Sequence, residues 1–390
     1  MRILKNNLYK IINDSKKPEY KPFYLMVTEL ISYCSRLGLS PGEYFSYGLH
    51  KKNSTTKKAL EYLPNTVHFE KHLPTLNTKN RNTLFDKLLF KKKVINEDIV
   101  TPKVIGYVGF EKRNDIEFNY LTRKSIQNIF IKNNIKKCII KPTTGNQGRG
   151  VFLLEHTPGS NTPFSINKKP FDTSSLFSFI ENFSKKNNFD HFMLETLITP
   201  PETIKNISPN AAPNIRIVTL RTPANTIHVT HASIRLGRKD SVTSNAGAGG
   251  ILGKIDIESG EISNCKTNTY ISGEFIKFHP DTKFDLIGFK LPFWREIINE
   301  CKKAASLIES VNSIGWDVLI TENGPVILEG NDTWCILSEQ IFGEGYLTPK
   351  TRELLGQHGL AFSDHILPKP SLSNIRKSLF GFPKPKKPKL

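Results

Sequence analysis

The stretch IIKPTTGNQGRGVFLLE, Ile139 to Glu155, decides how the rest of the chain is read. An apolar run ends on Lys141, then Gly145, Gly148 and Gly150 follow within six residues, then a second apolar run begins at once. The pattern predicts two strands joined by a glycine loop. Glycines let backbone N–H groups approach phosphate oxygens with no Cβ in the way, and a lysine on the preceding strand supplies a point charge for the same group. The lysine comes before the glycines and a strand, not a helix, follows, which excludes the G-x-x-x-x-G-K-[ST] phosphate loop. Taken alone, the stretch reads as a plain hairpin loop or as a lid over phosphates. Its neighbours must decide.

Downstream, GWDVLITENGPVILEGN (residues 315–331) predicts a hairpin with an Asn-Gly turn. Asp317 falls on its first strand, and Glu329 and Asn331 fall on one face at the end of the second. Three oxygen-bearing side chains so gathered suit a hard cation such as Mg²⁺; exposed hairpin polarity is the plainer reading. Before it, PFWREIINECKKAASLIESVNSIG carries Trp294, Ile297, Ile298, Cys301, Ala305 and Ile308 at helical spacing, with Gly315 expected just past the helix end. PNIRIVTLRT and IHVTHASIRLGR predict adjacent antiparallel strands bearing Arg216 and Arg235, and HFMLETLI a further strand. Residues 1 to 75 read as helical, PFYLMVTELISYCSRLG ending at Gly38.

Composition sets outer bounds. The chain has 390 residues, 38% hydrophobic and 10% aromatic, which suits a globular protein of two or three subdomains. A net charge of +19 favours an acidic partner or simply a lysine-rich surface; no motif of a nucleic-acid binder accompanies it. Five scattered cysteines (Cys34, Cys138, Cys265, Cys301, Cys335) suggest neither disulfides nor zinc and read as small buried hydrophobes in a reducing compartment. No apolar run reaches the ~18 residues of a membrane span, and no signal peptide is legible. A cytoplasmic location, with contact at the inner face of the membrane as an option, is the expectation. From Pro368 the Pro- and Lys-rich tail predicts disorder.

Taken in order, FDK with TP after it, KPTTGNQGRG, an acidic strand, two arginine strands and then Asp…E-x-N resemble the ATP-grasp superfamily. LSPGEYFSYGL near the start, and Trp334 after the hairpin, make the sugar-transfer-associated group of that superfamily the nearer likeness. The resemblance implies an α+β ATP-grasp fold, two subdomains gripping ATP, with a mainly helical N-terminal extension. It implies that Lys87 and Lys141 hold the phosphates, and that Gly145, Gly148 and Gly150 form the lid. Glu195, Leu197 and Ile198 would line the adenine hinge, and Glu202 would bind the ribose. Asp317, Glu329 and Asn331 would bind Mg²⁺, or Mn²⁺ in its stead. Arg216, Arg235 and Asn245 would serve the transferred phosphate and the acyl group, although Ala248 stands before Gly249 where the glutamate-ligase branch carries a basic residue. Trp334 reads as a core aromatic or as a substrate platform.

The implied organisation is a helical region (1–78), two ATP-grasp segments (79–140 and 141–205), a C-terminal subdomain with the metal site (206–345) and a last segment (346–390) ending in the basic tail. The implied function is an ATP-dependent carboxylate–amine ligase acting in cell-surface polysaccharide biosynthesis, on a small-molecule or saccharide carboxylate and an amine. An acidic or lipid-phosphate-linked substrate would suit the charge. Two alternatives stand beside it: a kinase of a hydroxyl or phosphate acceptor, and a non-catalytic polyanion- or membrane-binding protein on the same scaffold.

Overall fold

The computed structural model describes residues 2–78, 81–145, 148–209, 211–238, 250–267 and 273–362, with side chains from residue 7 onward. Asn245 and the tail from Pro368 lie outside the described residues. Two six-stranded sheets form the body, and within each sheet neighbouring strands pair antiparallel.

The first sheet holds β1 (Val104–Gly109), β2 (Lys137–Pro142), β3 (Phe152–His156), β4 (Phe164–Ile166), β5 (Lys169–Phe171) and β6 (His191–Thr196), in the order β1-β6-β2-β3-β4-β5. Because side chains alternate along a strand, Cys138 and Ile140 of β2 and Phe192 and Leu194 of β6 enter a core with Ile126, Phe130, Leu176 and Ile180 from helices Ile126–Lys132 and Thr173–Asn187. Ile139, Lys141 and Glu195 therefore face the other way, into a cleft. β2 runs across the 140/141 division of the sequence reading, so the segments on either side share one sheet.

The second sheet holds β7 (Asn214–Arg221), β8 (Ile227–Leu236), β9 (Ile251–Ile255), β10 (Ile262–Thr267), β11 (Ser313–Thr321) and β12 (Gly324–Asn331), in the order β10-β9-β8-β7-β11-β12. Ile314, Trp316, Val318 and Ile320 of β11 pack with Ile215, Ile217, Ala232 and Ile234 against helix Trp294–Ser306, whose buried Trp294, Ile297, Cys301 and Ala305 follow the predicted stripe. The opposite face is divided. One end carries Arg216, Asp317 and their neighbours; the other, with Val218, Leu220 and Leu252, is covered by the helical N-terminal region.

That region begins with helices Arg2–Asp14 and Phe23–Ser32, the second running through a π-helical turn (Tyr33–Leu37) to Gly38 at φ 78°. The LSPGEYFSYGL motif is structural. Ser40 and Glu43 form a capping box at the start of helix Pro41–Ser46, and the buried Glu43 carboxylate also accepts the Asn65 N–H at 2.7 Å. Trp334 lies in the same core, its Nε1–H donated to Ser313 Oγ at 3.0 Å, so it is a core aromatic and no platform.

Two local expectations need correction. The helix does not run on towards Gly315 but stops at Ser306, where Leu307 and Ile308 switch to i−3 bonds. Gly315 belongs to β11, and a Cβ there would sit 2.6 Å from Trp334 Cβ and 2.7 Å from Arg216 Nη1. Close approach, not a helix cap, requires that glycine. The hairpin turn is centred on Glu322-Asn323 rather than Asn323-Gly324: Thr321 pairs with Gly324, and Thr321 Oγ1 bridges the turn from Asn323 N–H to Gly324 O.

Candidate functional site

Between the two sheets lies a cavity of about 500 Å³, within the usual range for small-molecule sites. Lys87, Lys141 and Glu195 line it from one side and Asp317, Leu319 and Glu329 from the other; Pro102, Leu197, Ile198 and Leu328 make an apolar portion.

The first group is built by strand alternation and one capped helix. Lys141 and Glu195 project from the adjacent strands β2 and β6 and form an ion pair. The other Glu195 oxygen lies 3.4 Å from Nζ of Lys91, a lysine only 2% exposed that also donates to Pro102 O at 3.1 Å. Asp86 caps helix Lys87–Val94 through the N–H groups of Leu88 and Leu89 and accepts from Arg113 Nη1 at 2.6 Å. The helix therefore starts at the cavity wall. Lys87 Nζ donates to Gly145 O at 2.8 Å and lies 3.4 Å from Glu329 Oε2, joining the glycine loop to the second sheet. Gly145, Gly148 and Gly150 have φ of 114°, 68° and 78°, in the region that favours glycine.

The second group is a row across four strands. Glu329, Asp317, Arg216 and Ser233 stand directly opposite one another on β12, β11, β7 and β8. Arg216 grips Asp317 as a fork, Nε to Oδ1 at 2.9 Å and Nη2 to Oδ2 at 3.1 Å, and Arg235 Nη1 lies 3.5 Å from Asp317 Oδ1. Asn331 Nδ2 donates to Asp317 Oδ2 and to Gly315 O, both at 3.2 Å.

Opposite charges decide the protonation states here. Burial raises the cost of the Glu195 charge, but Lys141 and Lys91 outweigh it and hold the carboxyl below its ordinary range. Burial likewise opposes the Lys141 charge, and Glu195, with Glu329 and Asp317, reverses this and holds it above ordinary lysine. Lys91 has the weaker share of the same acid and is pushed down to about 8 by burial. Burial is again the adverse contribution at Asp317, overcome by Arg216 and Arg235, so the carboxyl stays below the usual range.

The donors suit a hard cation only as a mixed set. Among the described residues no three His, Cys, Asp or Glu side chains cluster in metal-binding geometry. Asp317 and Glu329 face each other across the hairpin, and Asn331, with Nδ2 committed inward, leaves Oδ1 as the third protein oxygen. Such a set fits Mg²⁺ with water and phosphate oxygens completing its shell.

The sequence-derived residues separate cleanly. Lys87, Lys141, Gly145, Gly148, Glu195, Leu197, Ile198, Asp317 and Glu329 all line the cavity. Gly150 closes the loop against Pro142 and the Phe183 ring, each 2.9 Å from where its Cβ would be. Arg216, Arg235 and Asn331 contact Asp317 from beside it without lining the cavity themselves. Glu202 does not line the cavity: its side chain is 75% exposed and lies 2.5 Å from Lys205, which does line it. Sequence reasoning missed Lys91, Arg149 and Glu339. Lys91 follows Lys87 at i+4, one turn along the same helix face, and that spacing was the available signal. Arg149, between two loop glycines, lines the cavity. Buried Glu339 accepts from Ser233 Oγ at 3.2 Å and lies close enough to Arg235 and Arg216 to interact with both, a position no local pattern announces.

Two antiparallel sheets facing one another across a cleft lined by lysines and acids define an ATP-grasp architecture. The chain belongs to the sugar-transfer associated ATP-grasp family, whose model matches residues 70–354. No curated protein matches the sequence. Similar solved structures include D-alanine-D-alanine ligase from Coxiella burnetii (12% identity, 72% of this chain and 58% of that one, TM-score 0.37). Biotin carboxylase from Campylobacter jejuni, in complex with β-γ-ATP, is another (11%, 69% and 48%, 0.40). So is L-amino acid ligase from Bacillus licheniformis (13%, 74% and 52%, 0.35). The chain spans about half the length of the solved structures it matches.

Proposed function

We propose that the protein is an ATP-dependent carboxylate–amine ligase. The observation that carries this reading is that Glu329 and Asp317, the latter gripped by Arg216, face Lys87 and Lys141 across one cavity. Such an arrangement can neutralise a polyphosphate on one side and a developing acyl phosphate on the other, and its lysines and acids are engaged with one another in ion pairs. Catalysis by positioning and charge is what it suits.

A carboxylate oxygen of the substrate attacks the γ-phosphorus, the bond to the β–γ bridging oxygen breaks, and ADP leaves. The amine then attacks the acyl carbon, inorganic phosphate departs with the C–O electron pair, and the amine proton passes to solvent. Lys87 and Lys141 hold phosphate oxygens, Arg216 and Arg235 steady the charge at the acyl end, and the loop from Gly145 to Gly150 excludes water. Asp317, Glu329 and Asn331 would hold Mg²⁺, which when bound withdraws charge from the phosphate oxygens. The apolar portion beside Leu197 and Ile198 suits the adenine ring. The family description supports a saccharide-pathway substrate, and the net charge of +19 supports an acidic one.

The test is Mg²⁺-dependent ADP release over a panel of carboxylates and amines, with Lys141→Ala as control. ADP that requires both substrates, and that falls at least ~10²-fold in the control, is expected. ADP release with a phosphorylated product and no amine would replace the ligase by a kinase, and unchanged turnover in Lys141→Ala would remove the assignment of this cavity.

A further inference from the structure

Helices Arg2–Asp14 and Phe23–Ser32 carry more apolar surface than the fold uses. In the first, Asn7, Ile11 and Asp14 lie on one line and are buried. Leu8 (48% exposed), Tyr9 (69%) and Ile12 (39%) stand off that line, in solvent. The second helix buries Met26 and leaves Phe23, Tyr24 and Ile31 outward, the last two 70% and 64% exposed. These six are a large share of the fourteen exposed large apolar side chains among the described residues, yet all fall before residue 32. Single exposed apolar residues need no explanation; a concentration on two packed helices does.

The charge around them has one sign. Of the four acids between residues 7 and 58, three are committed internally. Asp14 is buried and takes Lys10 at 2.9 Å and, more loosely, Lys17 at 3.8 Å, Glu29 takes Lys21 at 2.8 Å, and Glu43 is sealed in its capping box. Glu19 alone is exposed, against exposed Lys16, Lys17, Arg36, Lys52 and Lys57. Exposed leucine and isoleucine with tyrosine and phenylalanine, on a segment rich in exposed lysines whose acids are turned inward, match the layered chemistry of an anionic bilayer: acyl boundary, interface, phosphate. A second copy of the chain fits less well, because a two-fold pairing of this face would set its lysines against one another.

We infer that the N-terminal helices dock the protein on an anionic phospholipid surface. They belong to the region that covers the same sheet face as Arg216 and Asp317, so docking holds that face near the membrane whatever the acceptor proves to be.

Co-sedimentation of the full chain with vesicles tests this. Binding to phosphatidylcholine vesicles containing phosphatidylglycerol, weakened by salt and missing with phosphatidylcholine alone, is expected. The double substitution Leu8→Gln/Tyr24→Gln should weaken it at least ~10-fold, and Lys16→Gln/Lys17→Gln should weaken it and flatten the salt dependence. Leu8 and Tyr24 are exposed, so an unchanged melting temperature confirms that the first variant is folded. No binding to the anionic vesicles, or equal binding by the Leu8/Tyr24 variant, overturns the inference. So does a dimer in light scattering that the Leu8/Tyr24 substitutions dissociate while vesicles are ignored; that result would give the face to a second copy.

Discussion

Glu195 serves two buried lysines, and their inequality has a measurable consequence. Lys91 is pushed down to about 8 from an ordinary 10.5, so between those values the unfolded chain holds a proton that the folded chain has released. Stability then rises with pH across that window, from a penalty that is full below about 8. Thermal unfolding followed from pH 7.5 to 10.5 should show this rise superimposed on the other titrations, and Lys91→Met should lack it; equal slopes in the two proteins would place the Lys91 proton elsewhere. Asp317 offers a second test. With its fork from Arg216 removed, the buried carboxylate keeps Arg235 at 3.5 Å and the side-chain amides of Asn331 and Asn214, too little to replace a bidentate guanidinium. Arg216→Leu should cost about 3–5 kcal/mol in urea unfolding, and Arg216→Leu/Asp317→Leu less than that, because no uncompensated acid is left behind. Additive losses would mean that the pair is not coupled.

At the scale of elements, the glycine loop and the hairpin were legible because their residues have few other uses. The three glycines announced positive φ, and D…E-x-N announced facing oxygens by alternation alone. The ends of elements were not legible. The helix stop at Ser306 and the place of Gly315 in β11 depend on Trp334 and Arg216, which approach from elsewhere in the chain. The turn at Glu322-Asn323 is set by the register of a bulged strand pair, which a dipeptide rule does not see. Glu202 fits a spacing rule, yet its short helix turns it out towards Lys205. Glycine substitutions separate the local requirement from the tertiary one. Gly159→Ala, at φ 79° with open space around it, should cost only the backbone strain of a left-handed alanine, about 1–2 kcal/mol. Gly150→Ala, at φ 78° with Pro142 and Phe183 2.9 Å from the new Cβ, should cost more and weaken ATP binding roughly tenfold by displacing the loop. Calorimetric titration with ATP and thermal melts of both variants make the comparison; equal behaviour would deny the loop its role.

On the scale of the whole molecule, the helical region and the second sheet meet around Trp334 through a relay of histidines that fixes its own tautomers. His68 Nε2 lies 2.9 Å from Trp334 O, an atom that can only accept, so Nε2 carries the proton. His68 Nδ1 must then accept, and His72 Nδ1, 2.9 Å away, must donate. That leaves His72 Nε2 as a bare lone pair, and it is indeed buried with no partner. A further proton has nowhere favourable to go. Burial pushes His68 down to about 3 and His72 well below its ordinary range, and His231, tilted against Tyr346 nearby, also to about 3. In the unfolded chain the same rings accept protons near 6.5, so the stability they permit is complete above that value and is lost as pH falls from 6.5 towards 3. Each contributes up to ~1.4 kcal/mol per pH unit in that window. The melting temperature should therefore drop steeply between pH 6.5 and 5. His72→Phe, which keeps a ring and removes a titrating site, should drop less steeply over the same interval even where it is less stable at neutral pH. A slope equal to that of the parent protein would mean that acid attacks elsewhere, and that the junction around Trp334 is not the acid-sensitive joint of the fold.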